Sequence, residues 1–222
     1  MARFGKTRNS GDLRRRSRGL TEFTRLLIAC EGSKTEPNYF CGLCRQLGLR
    51  GTIVEIAGEE CESAPISVYR YAAERAADDG GFDEIYCVFD RDRHPTFADA
   101  LTAIQQHPTG KFRAIASHPC FEYWVLLHFR YTRAPFVAAG ADSPGDLAVK
   151  AVKTCWNTYA KGTKNAHQFL SEDGRTDLAI ANAGRARADA IATGEPNPST
   201  DVDLLVIRLR ELAAQQSLGP AP

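Results

Sequence analysis

The sequence predicts an α/β domain built on a largely parallel sheet. Two observations point there. Short continuous apolar runs, the mark of strands buried on both faces, recur along the first 130 residues. Each is followed by a segment with apolar residues at helical spacing, and strand–helix units in succession require parallel crossovers.

The elements follow in order. Leu26-Leu27-Ile28-Ala29-Cys30 reads as the first strand and Glu31-Gly32-Ser33 as a tight turn. Thr35 is placed to cap a helix carrying Pro37 in its first turn, where proline is tolerated. Tyr39, Phe40, Leu43 and Leu47 mark its apolar face, and Gly48 ends it. Thr52 to Ile56 is a second strand. A helix runs from Pro65 through Ile66, Tyr69, Ala73 and Ala76 to the stop at Gly80-Gly81. Ile85 to Phe89 is the clearest strand, His94-Pro95 to Gln106 a helix, Phe112 to Ala116 a fourth strand, and Phe121 to Phe129 a fourth helix. Residues 132–145, rich in Ala, Pro and Gly, read as a loop. Beyond it the pattern shows only helices, near 145–159, 175–192 and 201–213, the last with Thr200 and Asp203 as a capping box. The implied division is a basic arm at 1–21, an α/β domain at 22–130, and a helical portion at 131–215 of the same globular unit.

Composition narrows the function. No run of 18 uncharged apolar residues exists, and the start lacks the apolar stretch of a secretory signal. Seven cysteines, an odd number, suit reduced thiols in a cytoplasmic protein. Residues 1–19 hold Lys6 and six arginines, Arg14, Arg15 and Arg16 among them, against Asp12 alone. Such a segment cannot build a core, and it reads either as a phosphate-contacting arm or as a solvated tail. Between Leu147 and Ser171 there is no acidic residue, while Lys150, Lys153, Lys161 and Lys164 are four of the seven lysines. These are candidates for nucleic-acid contact. Trp156 and Tyr159, interleaved with them, fit the apolar face of the core.

In open α/β sheets the working site lies at the carboxyl ends of the strands. Glu31 follows the first strand, Asp90 and Asp92 the third, and His118 and Glu122 the fourth. Residues two apart in extended chain point the same way, so Asp90 and Asp92 can aim at one point. Converging carboxylates repel unless a hard divalent cation neutralises them, and oxygen-only donors select Mg²⁺ or Mn²⁺ over zinc. That is equipment for phosphodiester chemistry. The competing reading is helix capping by Glu31 and Asp90. Glu36 reads either as an outer acid of the site or as a first-turn acid suiting the helix dipole. Lys34 reads as a phosphate contact or a surface lysine, and His118 as a general acid or a structural histidine. Cys41-x-x-Cys44 lacks a second pair of ligands and is read as two ordinary thiols.

A Glu closing the first strand and an Asp-x-Asp closing the third resemble the Toprim arrangement of primases and topoisomerases. The stretches Leu27–Phe40, Val88–Asp92 and His118–Phe129, with Asn197-Pro198-Ser199-Thr200, resemble more closely the RloB-like proteins. The resemblance spans residues 24 to 210. It implies a Toprim-like, Rossmannoid fold and a Mg²⁺- or Mn²⁺-dependent nuclease acting on DNA or RNA, tRNA included. In that reading Glu31 is acid/base or ligand, and Asp90, Asp92 and Glu122 hold the metal. It further implies bacterial antiphage defence beside an ATPase partner, with a homo-oligomer open. The alternative is a regulatory module that binds nucleotide or metal without turnover. The intact set of Glu31, Asp90 and Asp92 favours the enzyme.

Overall fold

The computed structural model describes residues 23–56, 64–91 and 94–218. The basic arm, with Arg14, Arg15 and Arg16, lies outside them, as does Asp92. Five strands form one sheet: β1 (Leu26–Cys30), β2 (Thr52–Ile56), β3 (Glu84–Asp90), β4 (Phe112–His118) and β5 (Ser199–Thr200). Their order across the sheet is β2-β1-β3-β4-β5. The first four are parallel, as the alternation of strand and helix predicts, and β5 pairs antiparallel with β4. From β1 the chain steps to one side to make β2, then to the other to make β3. A crevice therefore opens beyond the carboxyl ends of β1 and β3, where a ligand finds its place in such sheets.

Strand periodicity divides the core in two. Leu26, Ile28 and Cys30 of β1 face the same cluster as Tyr86 and Val88 of β3. Leu27 and Ala29 face the other side with Ile85, Cys87 and Phe89. The second side is covered by α2 (Pro65–Asp78) and α3 (Phe97–Gln105). The first is covered by α1 (Thr35–Gln46), α4 (Glu122–Leu127) and the C-terminal helices α5 (Pro144–Cys155), α6 (Ala166–Leu170), α7 (Arg175–Thr193) and α8 (Val202–Ser217). The C-terminal portion thus shares one core with α1 and α4.

α7 is packed through Ala179, Ala183 and Ala186, all fully buried. Small side chains at that spacing let α7 approach α4 and α8 closely.

Several local expectations are corrected. Thr35 is the first residue of α1 and does not cap it; its hydroxyl accepts from the Gly162 amide at 3.0 Å. The Thr200–Asp203 capping box does not form: Asp203 is taken by Arg187, while Thr200 Oγ1 accepts from the Val202 amide at 3.3 Å. Thr200 shares a hydrogen bond with Ser117 across the β4–β5 edge at 2.9 Å. Asp203, 1% exposed, receives both terminal nitrogens of Arg187 at 2.8 and 2.7 Å. A true capping box stands at Ser143 and Asp146, starting α5 inside the stretch read as the end of a loop. α6 and the two-residue strand β5 were not foreseen; both are too short to carry a period. Among the described residues no helix is long and apolar enough to cross a membrane.

The Arg187–Asp203 pair ties α7 to the start of α8. Removing Asp203 takes from the partly buried Arg187 its closest acid and leaves it Asp201 at 3.5 Å. Asp203→Ala should destabilise the fold by about 3 kcal/mol. Urea unfolding checks this, and a loss below about 0.5 kcal/mol would mean the pair is no stronger than a surface one.

Candidate active site

A cavity of about 370 Å³ occupies the crevice between β1 and β3. Glu31, Glu36, Asp90 and Glu122 line it, with Lys34, Lys161 and His94. Strand parity explains who arrives. Asp90 continues the row of Tyr86 and Val88, on the α1 side of the sheet. His118 continues the row of Phe112, Ala114 and Ala116, on the α2–α3 side. The structure therefore does not bring His118 to the cavity. Its ring stands edge-on to Phe97 at 5.2 Å, and burial pushes its pKa down to about 4.

Glu31 is held in place twice. Its backbone amide extends the ladder by donating to Val88 O at 2.9 Å. Its carboxylate Oε2 accepts from the Asp90 amide at 3.0 Å, and Oε1 lies 3.3 Å from His94 Nε2. Glu31 does not cap α1, whose first turn receives no side-chain cap. Glu122 opens α4 and is 2% exposed. Its Oε1 accepts from the Tyr159 hydroxyl at 3.1 Å, and Lys161 Nζ lies 3.7 Å from Oε2. Tyr159 and Lys161 come from the segment between α5 and α6, so the C-terminal portion finishes a site begun by the sheet.

Glu36 is the first-turn acid of α1, and it also faces the site. It is 8% exposed and lines the cavity. A β-carbon added to Gly32 would fall 2.2 Å from Glu36 Oε2, so only glycine leaves room for this carboxyl. Burial, then the neighbouring Glu122, raises Glu36 to about 7. Asp90 is raised well above its ordinary range, first by burial and then by Glu36, Glu122 and Glu31. Burial works against the charged form of Lys161, but attraction to Glu122, Asp90 and Glu36 outweighs it and raises its pKa.

Of the lysines, Lys34 and Lys161 meet at the cavity and the others do not. Lys150 pairs with Asp142 at 2.5 Å. Lys153 is exposed in the last turn of α5, where a cation suits the helix dipole. Lys164 lines a neighbouring cavity. His94 was missed by the sequence reading, although it follows β3 only four residues after Asp90. Tyr159 is core, as expected, and its hydroxyl serves the site as well.

A hard divalent cation was expected here. Among the described residues no group of three or more His, Cys, Asp or Glu side chains is close enough to hold one ion. The donor chemistry nevertheless fits Mg²⁺, which keeps several waters and takes one or two carboxylates with substrate oxygens. Carboxylates held partly protonated by crowding are relieved by such an ion, with release of protons.

The model of the RloB-like protein family matches residues 26–209, from the start of β1 into α8. The chain belongs to the RloB-like family. The match takes in Glu31, Asp90, Glu122 and Lys161 together. No curated protein and no solved structure matches the chain.

The raised carboxyl pKa values have a consequence for this RloB-like chain that can be measured. Unfolded, Glu36 titrates near 4.5; folded, at about 7. Between those values the folded state binds more protons, so stability falls as pH rises through that window and stays lower above it. Asp90 acts in the same sense. Glu36→Gln keeps the shape without the charge. It should gain stability over the wild type progressively from pH 4.5 to about 7, reaching up to ~3 kcal/mol. Denaturant titrations across that range test this; parallel curves for the two proteins would show that Glu36 is not held protonated.

Proposed function

We propose that the protein is a metal-dependent nuclease that hydrolyses phosphodiester bonds of nucleic acid. The observation that carries this reading is the meeting of Glu31, Glu36, Asp90 and Glu122 with Lys34 and Lys161 in one cavity at the β1–β3 crevice. Carboxylates and ammonium groups side by side suit a substrate that is itself an anion bridged by a cation.

Glu31 and Asp90 are the residues that would hold Mg²⁺ or Mn²⁺, joined by Glu122 and by Asp92, which lies outside the described residues. The bound ion would polarise the phosphoryl group and offset the charge that builds during displacement. The chain's own groups account for the rest. Lys34 and Lys161 hold non-bridging oxygens of the phosphate. Glu36, with a pKa near the working pH, takes a proton from the attacking water or gives one to the leaving oxygen. The Asp90 amide and His94 fix the direction of Glu31, and Tyr159 fixes Glu122.

By the family resemblance the proposal extends to a cytoplasmic enzyme of antiphage defence that works with an ATPase partner. DNA, mRNA and tRNA are the substrate classes to compare, with Mg²⁺ or Mn²⁺ and with or without the neighbouring ATPase. Cleavage of at least one class is expected, restored by either ion after chelation. Asp90→Asn and Glu122→Gln should each lower the rate by about 100-fold or more, and Asp90→Asn should fold at least as stably as the wild type because it relieves repulsion. Millimolar Mg²⁺ should raise the melting temperature of the wild type more than that of Asp90→Asn. A divalent-dependent melting shift without cleavage of any class would favour a binding module over an enzyme.

A further inference from the structure

Beside the carboxylate cavity lies a second one, of about 590 Å³, between α1 and α6. Its lining carries Arg45 and Lys164, both exposed, and no carboxylate. It also carries the carboxamides of Asn38, Gln46, Asn165 and Gln168. Those of Asn38 and Gln46 are oriented by neighbouring groups. Asn38 Nδ2 donates to Gly162 O at 3.2 Å, which leaves Asn38 Oδ1 as an acceptor. Gln46 Oε1 accepts from His167 Nε2, which leaves the Gln46 amino group as a donor. His167 is nearly buried, and burial lowers its pKa to about 4, so the ring is neutral and keeps this orientation near pH 7.

Gly162 lies between a residue of each cavity, Asn38 of the second and Thr35 of the first. Gly162 has φ +80°, and its backbone accepts Asn38 on one side while donating to Thr35 on the other. The Lys34 side chain lies across it, so close that an added β-carbon would fall 2.9 Å from Lys34 Cβ. Lys161 and Lys164 stand on either side of this point, one in each cavity. Cations thus run from the carboxylates into the second cavity: Lys34, Lys161, Lys164, Arg45.

We propose that the second cavity seats an unpaired nucleotide flanking the scissile phosphate. This rests on the nuclease reading of the first cavity. Lys164 and Arg45 take the phosphates on either side of that nucleotide, and Asn38 and Gln46 meet its base edge with one acceptor and one donor. A base edge presents that kind of complementary pair. The volume suits one nucleotide, and a base stacked in a duplex cannot enter. The preferred substrate is therefore a single-stranded or unstacked segment.

The test uses the full chain carrying Asp90→Asn, so that binding is read without turnover, and fluorescein-labelled single-stranded DNA and RNA oligonucleotides beside a duplex of equal length. Adding Arg45→Glu and Lys164→Glu should weaken single-strand binding by about tenfold or more at low salt. It should lower the slope of log affinity against log salt by about 1.4, two single-strand phosphate contacts. Duplex binding should not change. Cys41, exposed on the cavity lining, should be shielded from alkylation by the bound oligonucleotide, while Cys155, exposed at the end of α5, should not. Unchanged single-strand affinity in the charge-swapped protein, or equal weakening of the duplex, would overturn the assignment. If groove-dependent binding stands while the wild type cleaves no nucleic acid, the nucleotide seat stands and the nuclease reading falls.

Discussion

The hydrogen bond from the Asp90 amide to Glu31 Oε2 fixes what the rest of the site must do. It joins the ends of β1 and β3 where the chain has switched direction across the sheet, and it uses a backbone donor that β4 does not claim. A carboxylate is thereby bound into the crevice at the same position where Asp90 itself delivers a second one. Glu36 and Glu122 arrive from α1 and α4, because both helices start at this end of the sheet. Crowding of like charge then follows from topology. It is met partly by protonation, as the raised pKa values of Glu36 and Asp90 show, and partly by Lys161.

The helical C-terminal portion is bound into this arrangement. Its helices cover one face of the sheet and share a single apolar cluster with α1 and α4. Tyr159 and Lys161 come from it, and through Gly162 it touches Thr35 and Asn38 at the start of α1. The loop that carries Lys161 is braced by backbone contacts to α1, so the lysine reaches a buried acid while its side chain stays about half exposed.

The sheet was legible in the sequence because a strand buried on both faces leaves a continuous apolar run, and β1 and β3 are such strands. The acids after those strands were legible for the same reason, since the end of a run marks the end of a strand. What period alone could not give was the side of the sheet. Glu122 and His118 stand four residues apart near the end of β4, yet the turn into α4 intervenes. His118 still belongs to the strand and obeys its parity, facing Phe97. Glu122 belongs to the helix. Glu36 is at once the first-turn acid of α1 and a wall of the cavity, and period alone does not show that its carboxyl lies over Gly32 in the crevice. The reciprocal capping box at Thr200 failed because Arg187 takes the Asp203 carboxylate, while Thr200 holds the Val202 amide and Ser117 together.

These residues also show why the site is costly to the fold. Burying Asp90 and Glu36 among other acids opposes folding at the pH where all would be ionised. Replacing either by its amide relieves that strain and keeps the volume, so stability alone would select the amide. A carboxylate group kept under such strain implies a ligand that needs it, because strongly perturbed acids in a cleft are where binding and proton transfer are done. Two features narrow the ligand to one that brings both signs of charge. The acids call for a cation, and Lys34 and Lys161, set into the same wall, call for an anion. A phosphate carried with a divalent ion satisfies both at once, and neither a free cation nor a free anion does.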